Sequence, residues 1–258
     1  KRKLSKRKDP EAAVSYYTEI GVPKEAVVEY LLNIANSNFE TWRKQNPDAS
    51  VDEFKLELNK MSVSGALFDM VKLLDIGKTV ISKMTAEEVY ENSMNWAKKY
   101  DAELAKLLED KEYALKVFGI ERGNKKPRKD ISKWSDVKEN VEYMYNELFD
   151  GAIFDFSFLK HEEDAKEIIS TYLNEYFDIN DDKDTWFNKI KELTEKMGYC
   201  SNMKEYKENP DNYGGSTADI SNVIRVALTT KLTSPDLYEI INILGDAEVR
   251  SRFSKICG

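Results

Sequence analysis

The sequence predicts an all-α, multi-helix protein, and three observations carry that prediction. Apolar residues recur at three- and four-residue spacing, as in Val27, Val28, Leu31, Leu32 and Ile34, the period of a helix with one buried stripe. Turn-forming residues are scarce, with 11 Gly and 6 Pro in 258 positions, so short connections are expected. Charged residues make up 33% of the chain, above the usual level of about a quarter, as suits the solvated faces of long helices.

In chain order, Asp9-Pro10-Glu11 reads as a helix start, with Asp9 at the cap and Pro10 at the first helical position. A short helix over 12–20 is expected. Gly21-Val22-Pro23 breaks it, a second helix carries the stripe ending at Ile34, and Asn36-Ser37-Asn38 closes that one. Asn46-Pro47-Asp48 is a turn, after which Val51, Phe54, Leu56 and Leu58 are expected on another amphipathic helix. Thr85-Ala86-Glu87-Glu88 is a capping box, opening a helix toward Tyr100; a further helix over 101–117 comes after it. Residues 123–130 form a loop rich in cations, Gly and Pro, and Ser135-Asp136-Val137-Lys138 begins a helix that carries Val141, Met144, Tyr145, Leu148 and Phe149. Phe154-Asp155-Phe156-Ser157-Phe158 alternates at the strand period but is too short to change the class. Helices are expected over 162–177 and 185–197, the latter with Trp186, Phe187, Ile190 and Leu193 on one side, and 209–215 is a loop.

Composition excludes several function classes. No stretch approaches the roughly 18 apolar residues of a membrane span, and the first residues lack the apolar core of a signal peptide; a cytoplasmic protein without a membrane partner is expected. Cys200 and Cys257 are far apart and lack CxxC spacing, so reduced thiols are expected, with no disulfide framework or zinc site. The single histidine, His161, sits in a polar helix start, and no metal-ligating constellation can be built around it. A net charge of -8 argues against general nucleic-acid affinity, and no DNA partner is expected. Distribution matters more than the sum. Cations bunch in residues 1–8 and again at Arg122, Lys125, Lys126, Arg128, Lys129 and Lys133, whereas 161–184 is acidic; a basic strip on an acidic body binds RNA in one orientation and repels it in others.

The opening run is the most specific feature. Lysines on a short segment beside a triphosphate stabilise charge that grows toward the leaving pyrophosphate in the transition state, and a Ser between them adds a hydroxyl donor. Lys3-Leu4-Ser5-Lys6-Arg7 resembles the KMSKS loop of class I aminoacyl-tRNA synthetases, in the KLSKR form of the glutamyl-tRNA synthetases. Further stretches resemble that family in its order. The run from Gly21 to Leu32 is similar to the segment just after the loop, and Ser64 to Leu74 to the element ending the domain that lies along the tRNA acceptor arm. The cationic loop and the helix after it resemble the entry to the anticodon-binding region. The ending, Ile224-Arg225-Val226-Ala227-Leu228-Thr229-Thr230-Lys231 with Ser234-Pro235-Asp236-Leu237 and Leu244-Gly245, resembles the family's C-terminal motif. Thr230 stands where the family usually has Gly, which puts any tight backbone geometry there in doubt.

The resemblance implies the C-terminal part of a longer enzyme that joins glutamate to tRNA(Glu) using ATP with magnesium. No nucleotide-binding βαβ unit precedes the loop, so this chain alone is expected to hold no cofactor and to catalyse nothing. By the same resemblance Lys3, Ser5, Lys6 and Arg7 take the catalytic role, with Lys6 on the ATP phosphates. Arg122, Lys125, Lys126, Arg128 and Lys129 are expected to grip tRNA phosphates, and Arg225, Thr229, Ser234, Pro235 and Leu237 to lie near anticodon bases. The implied domains are 1–100, the loop and stem-contact domain, and 101–258, the helical anticodon-binding domain, with a further split near residue 155 left open. A monomer is expected. The composition also leaves open a non-catalytic helical module that binds protein partners through its acidic surface.

Overall fold

A computed structural model describes residues 4, 5, 7–61 and 66–257. Among them are fourteen α-helices and no β-strand, in agreement with the predicted class. The chain forms two compact units, 1–140 and 141–258. No helix among the described residues is long and apolar enough to cross a membrane.

Unit 1 holds α1 (Val14–Glu19), α2 (Lys24–Ala35), α3 (Phe39–Gln45), α4 (Met70–Lys83), α5 (Ala86–Tyr100), α6 (Ala102–Leu107) and α7 (Lys111–Gly119), and α8 (Val137–Val141) begins at its end. Its core forms where α2 meets α4, through Val22, Ala26, Tyr30 and Leu73. Tyr30 also orders the start of α4, because its hydroxyl accepts the Asp69 N–H at 2.6 Å while the Asp69 carboxylate caps the helix through the Lys72 N–H at 3.1 Å. The Thr85 and Glu88 capping box at the head of α5 is present in both directions, as read from the sequence.

The end of α1 shows how this unit is closed. A helix end leaves carbonyls without helical donors, and here three side chains or backbone groups supply them. The Trp96 indole donates to the Glu19 carbonyl at 3.0 Å, the Ser135 hydroxyl to Ile20 at 2.8 Å, and the Trp134 N–H to Gly21 at 2.8 Å. Gly21 sits at φ 82°, and a Cβ there would lie 2.8 Å from Trp134 Cβ and 2.9 Å from the Trp96 nitrogen. Only glycine meets both conditions. The turn after α3 is held in a similar way: Arg43 donates to the carbonyls of Asn46 at 3.0 Å and Ala49 at 2.8 Å, and pairs with Glu29.

Four local expectations are corrected. Asp9 stands at the cap of a 3-10 turn, Pro10–Ala12, that precedes α1, but its side chain makes no cap bond; its carboxylate accepts the Ser5 N–H at 2.8 Å. Residues 51–58 form no α-helix. Phe54 packs against Phe39 and Trp42 with ring centroids 5.0 and 5.3 Å apart, and the stretch holds two 3-10 turns, Val51–Glu53 and Leu58–Lys60, between which Phe54 and Glu57 are extended. The helix expected over 101–117 is two helices, because Asp101 and Asp110 each cap a separate start, through Leu104 N–H and Tyr113 N–H. The helix expected from Ser135 to Phe149 is broken into 3-10 and α turns, for a reason found in unit 2.

Unit 2 holds α9 (Asn146–Phe149), α10 (Asp164–Thr171) with a π turn at Tyr172–Tyr176, α11 (Lys183–Lys196), α12 (Met203–Glu208), α13 (Thr217–Thr229) and α14 (Leu237–Cys257). The last is broken at Gly245, whose φ of 79° and ψ of 165° are not helical. Tyr172, Ile190, Leu193, Ile224, Leu228 and Phe253 are among its buried core residues, and the Trp186 indole donates to the Tyr172 hydroxyl at 2.9 Å inside it. Beside this core lies an arginine with no exposed surface, Arg252. Its guanidinium donates to the carbonyls of Tyr143 at 2.5 Å and Leu228 at 2.7 Å, to the Asn146 side-chain oxygen at 2.9 Å and to Glu248 at 2.7 Å. It lies 3.8 Å from the centroid of the Phe149 ring. Because the Tyr143 carbonyl points at this guanidinium, the chain around it turns as a 3-10 segment, Glu142–Met144, and not as a continuous helix.

These contacts lead to two expected outcomes. Arg252→Met keeps the apolar stem but leaves two carbonyls, an amide oxygen and a half-buried carboxylate without their donor, so chemical denaturation is expected to show a loss of about 3–5 kcal/mol; a loss below about 1 kcal/mol would contradict the role given to this residue. The second outcome concerns acid. Burial pushes the Asp136 carboxyl up, but the Lys133 ammonium and the Ser132 hydroxyl and N–H outweigh it and hold the group below the ordinary carboxylate value. A depressed folded value contributes stability that is present above the ordinary value, about pH 4, and is lost as pH falls through the folded value. Asp136→Asn is therefore expected to flatten the acid limb of a stability-against-pH curve below about pH 4, and an unchanged limb would refute the assignment.

Candidate functional site

The opening loop is described in part: Lys3 and Lys6 lie outside the described residues. Ser5 is the pivot of a closed turn. Its carbonyl accepts the N–H groups of Lys8 at 2.9 Å and Asp9 at 2.8 Å, while its own N–H donates to the buried Asp9 carboxylate at 2.8 Å. Arg7 and Lys8 are exposed on this turn. Asp9 thus ties the base of the cationic segment to the start of the first helix.

The five cations of the second cluster share one loop but differ in what they hold. Arg122 is turned inward: its Nε donates to the Phe118 carbonyl at 2.8 Å, and its Nη1 to Ile81 at 2.8 Å and Met84 at 3.0 Å. These are carbonyls at the ends of α7 and α4. Burial pulls the Arg122 pKa below the ordinary arginine range, in keeping with a group that sits among backbone dipoles. Arg128 is bonded to Asp130 at 2.6 Å and lies 3.7 Å from Glu121. Lys129 donates to the Thr79 hydroxyl at 2.9 Å. Lys125 and Lys126 are exposed and have no carboxylate partner among the described residues. Lys125 stands at a groove of about 760 Å³ that is also lined by Lys83, Thr85 and Arg122. The loop's root is therefore fixed by Arg122, and its tip presents two lysines to solvent.

The C-terminal set is brought together more tightly. Arg225, on the half-exposed side of α13, donates through Nη1 to the Ser234 hydroxyl and to the Pro235 carbonyl at 3.1 Å. The Ser234 hydroxyl in turn donates to the Pro235 carbonyl at 2.9 Å. Thr229 is buried, and its hydroxyl bonds the Arg225 carbonyl at 2.7 Å and the Lys231 carbonyl at 3.2 Å. Leu237 is also buried, as part of the core under the start of α14. Four of the five residues thus form one knot around the 230–236 loop, and Leu237 anchors its far end.

Sequence reasoning passed over the residues that this knot turns outward. Leu232 is 50% exposed at the crest of the loop, and Thr233 beside it is exposed. Lys231 is pinned to Glu142 at 3.1 Å and lies 5.9 Å from the Tyr143 ring centroid. An apolar residue in a short polar connection was the available signal for Leu232. Elsewhere, the His161 side chain lies exposed beside Glu163, and Cys200 and Cys257 are free thiols.

A family model described as an anticodon binding domain matches residues 85–257. The chain is 51% identical over 259 residues to a Glutamate--tRNA ligase of Clostridium perfringens (strain SM101 / Type A), an alignment that covers 99% of this chain and 47% of the relative. It is 47% identical over 258 residues to a protein of the same name from Acetivibrio thermocellus, with 99% and 47% covered. Among solved structures, the crystal structure of a glutamate tRNA ligase from Elizabethkingia meningosepticum CCUG26117 in complex with its amino acid is similar in fold, with a TM-score of 0.64 at 19% identity over 100% of this chain and 48% of that one. The chain spans about half the length of the curated relatives it matches.

The knot contains one strained residue. Thr230 adopts φ 58° and ψ 6°, the left-handed region, at the end of α13. The tight geometry is thus kept without glycine. A β-branched residue there costs roughly 1–2 kcal/mol, part of which is offset by bonds from its N–H to Val226 at 2.7 Å and from its hydroxyl to Thr229 at 2.6 Å. Thr230→Gly is expected to raise stability by about 0.5–1 kcal/mol in thermal unfolding, and a drop in stability would show that the hydroxyl bond outweighs the strain.

Proposed function

Because the chain belongs to the anticodon binding domain family, we propose that it binds the anticodon arm of tRNA(Glu) and forms that part of a glutamate–tRNA ligase, the longer enzyme that joins glutamate to tRNA using ATP with magnesium. The observation that carries this reading is the knot of Arg225, Thr229, Ser234 and Pro235, which locks the backbone of a short loop while Leu232 and Thr233 face outward. A rigid loop with exposed side chains suits the reading of unstacked bases by their edges and faces. In this proposal Arg225, Thr229, Ser234, Pro235 and Leu237 set the loop's shape, and the outward residues meet the bases.

The cationic loop takes the sugar–phosphate backbone. Lys125 and Lys126 make the phosphate contacts, Arg122 holds the loop's root, and Arg128 and Lys129 fix its course through Asp130 and Thr79. In the longer enzyme the opening segment would serve ATP. Lys3, Lys6 and Arg7 supply positive charge to the phosphates, Ser5 adds a hydroxyl donor, and Lys6 is the residue assigned to the transition state. The donor set of ammonium, guanidinium and hydroxyl groups fits a polyphosphate.

The test is binding of this chain to tRNA transcripts that differ only in the anticodon, at several salt concentrations. Affinity is expected to fall steeply with salt. Lys125→Ala and Lys126→Ala should each weaken all transcripts alike and lower the salt slope by about one unit, whereas Arg225→Ala, which frees the loop, should change the preference among anticodons. Absence of salt-dependent binding to any transcript by a folded chain would sink the proposal.

A further inference from the structure

We propose that the exposed face of α11 formed by Lys183, Phe187 and Lys191 is an additional RNA-binding stripe, in which the Phe187 ring stacks on an unpaired base and Lys191 takes a neighbouring phosphate. The inference rests on the RNA-binding reading above and names a surface that the family-like motifs leave out.

Spacing of four residues puts the three side chains on one helix face over about 12 Å. The face begins at the knotted loop, because Lys183 bonds Asp236 at 2.6 Å and the neighbouring Trp186 and Tyr238 rings lie 5.8 Å apart. Phe187 is one of few large apolar side chains exposed on unit 2. It is 42% exposed, and the others among the described residues of that unit are Leu232 on the knotted loop, Ile153 and Met203. The Lys191 ammonium lies 4.8 Å from the Phe187 ring centroid and has no carboxylate partner among the described residues.

Charge decides the occupant. Unit 2 carries 13 Lys and Arg against 23 Asp and Glu, and several of its cations are held by carboxylates or carbonyls, such as Lys189 by Asp181 and Lys160 by the Pro210 and Tyr213 carbonyls. A cation left on an aromatic ring is different. It matches a partner with both a flat π-face and negative charge, which a single-stranded nucleic acid offers at each nucleotide. On binding, a base takes the ring face and Lys191 swings to the adjoining phosphate, so the pair keeps its cation covered in the free protein and exchanges that contact for RNA.

The experiment uses the full chain and a tRNA(Glu) transcript, with melting temperature as the check on folding. Phe187→Ala should weaken binding roughly 5- to 100-fold, and Phe187→Tyr should stay within about twofold, because the π-face is retained. Lys191→Ala should weaken binding and lower the salt slope by about 0.7, and Met203→Ala, at another exposed apolar site of the same unit, should change nothing. If the parent chain binds while Phe187→Ala and Lys191→Ala both stay within about twofold of it, the stripe is wrong and the binding function stands. Equal losses in Phe187→Tyr and Phe187→Ala, or in Met203→Ala and Phe187→Ala, also overturn it. No salt-dependent binding by the parent chain removes both proposals together.

Discussion

The guanidinium of Arg252 is the interaction on which the C-terminal unit depends. It is fully buried, and its bonds gather groups far apart in the chain: the Leu228 carbonyl near the end of α13, the Tyr143 carbonyl in a 3-10 turn, and the Asn146 side chain at the start of α9. A buried cation is costly unless it is paired and hydrogen-bonded, and this one is both, with Glu248 as its counter-charge and the Phe149 ring at 3.8 Å. Fixing the end of α13 also fixes the start of the 230–236 loop. Thr229, Thr230 and the backbone to Pro235 run on from that point, so the geometry of the candidate site is inherited from a core contact that contains none of its residues.

The same device recurs, and it divides the cations by chemistry. Arg43 closes the turn after α3, Arg122 joins the ends of α4 and α7, Arg225 ties the 234–235 backbone, and Arg252 joins α13 to the segment around Tyr143. In each case one planar group with several fixed donors bonds two or more carbonyls, often at helix C-termini where the macrodipole favours positive charge. Lysine, a mobile point charge with a strongly hydrated head, is poorly suited to that task. The three exposed cations assigned to RNA in the proposals above, Lys125, Lys126 and Lys191, are lysines without a carboxylate partner among the described residues.

How much of this was legible in the sequence depends on how local each signal is. The Thr85 capping box and the cationic loop were readable because their determinants lie within a few residues. The break between α6 and α7 was also encoded locally, in Asp110, but apolar periodicity across the pair masked it. Arg252 was not legible in its main role: its visible neighbour is Glu248, four residues away, whereas Tyr143 and Asn146 are more than a hundred residues distant. The helix expected from Ser135 to Phe149 failed for the same reason, since a distant donor takes the carbonyl that would otherwise close a helical turn. In the site, family-like residues such as Arg225 and Thr229 could be named from motifs, but their inward orientation could not. Leu237, named from the same motif, lies in the core under the start of α14.

That inward orientation changes how an acidic protein can recognise RNA. With 23 acids against 13 bases in unit 2, the long-range field repels a polyanion, so association cannot rest on a broad basic surface. Recognition must come from a few short-range contacts held in place before the RNA arrives, which lowers the ordering cost of binding. In the proposed function the knot around Arg225 supplies such a contact, because the strain at Thr230 and the bonds to Ser234 and Pro235 define one loop conformation. Repulsion then acts as a filter. An RNA that offers unstacked bases at that loop gains stacking and edge contacts that offset the field, whereas a duplex, with its bases enclosed, meets mainly the acidic surface. Under that proposal, selectivity for a single-stranded loop arises from charge and rigidity together.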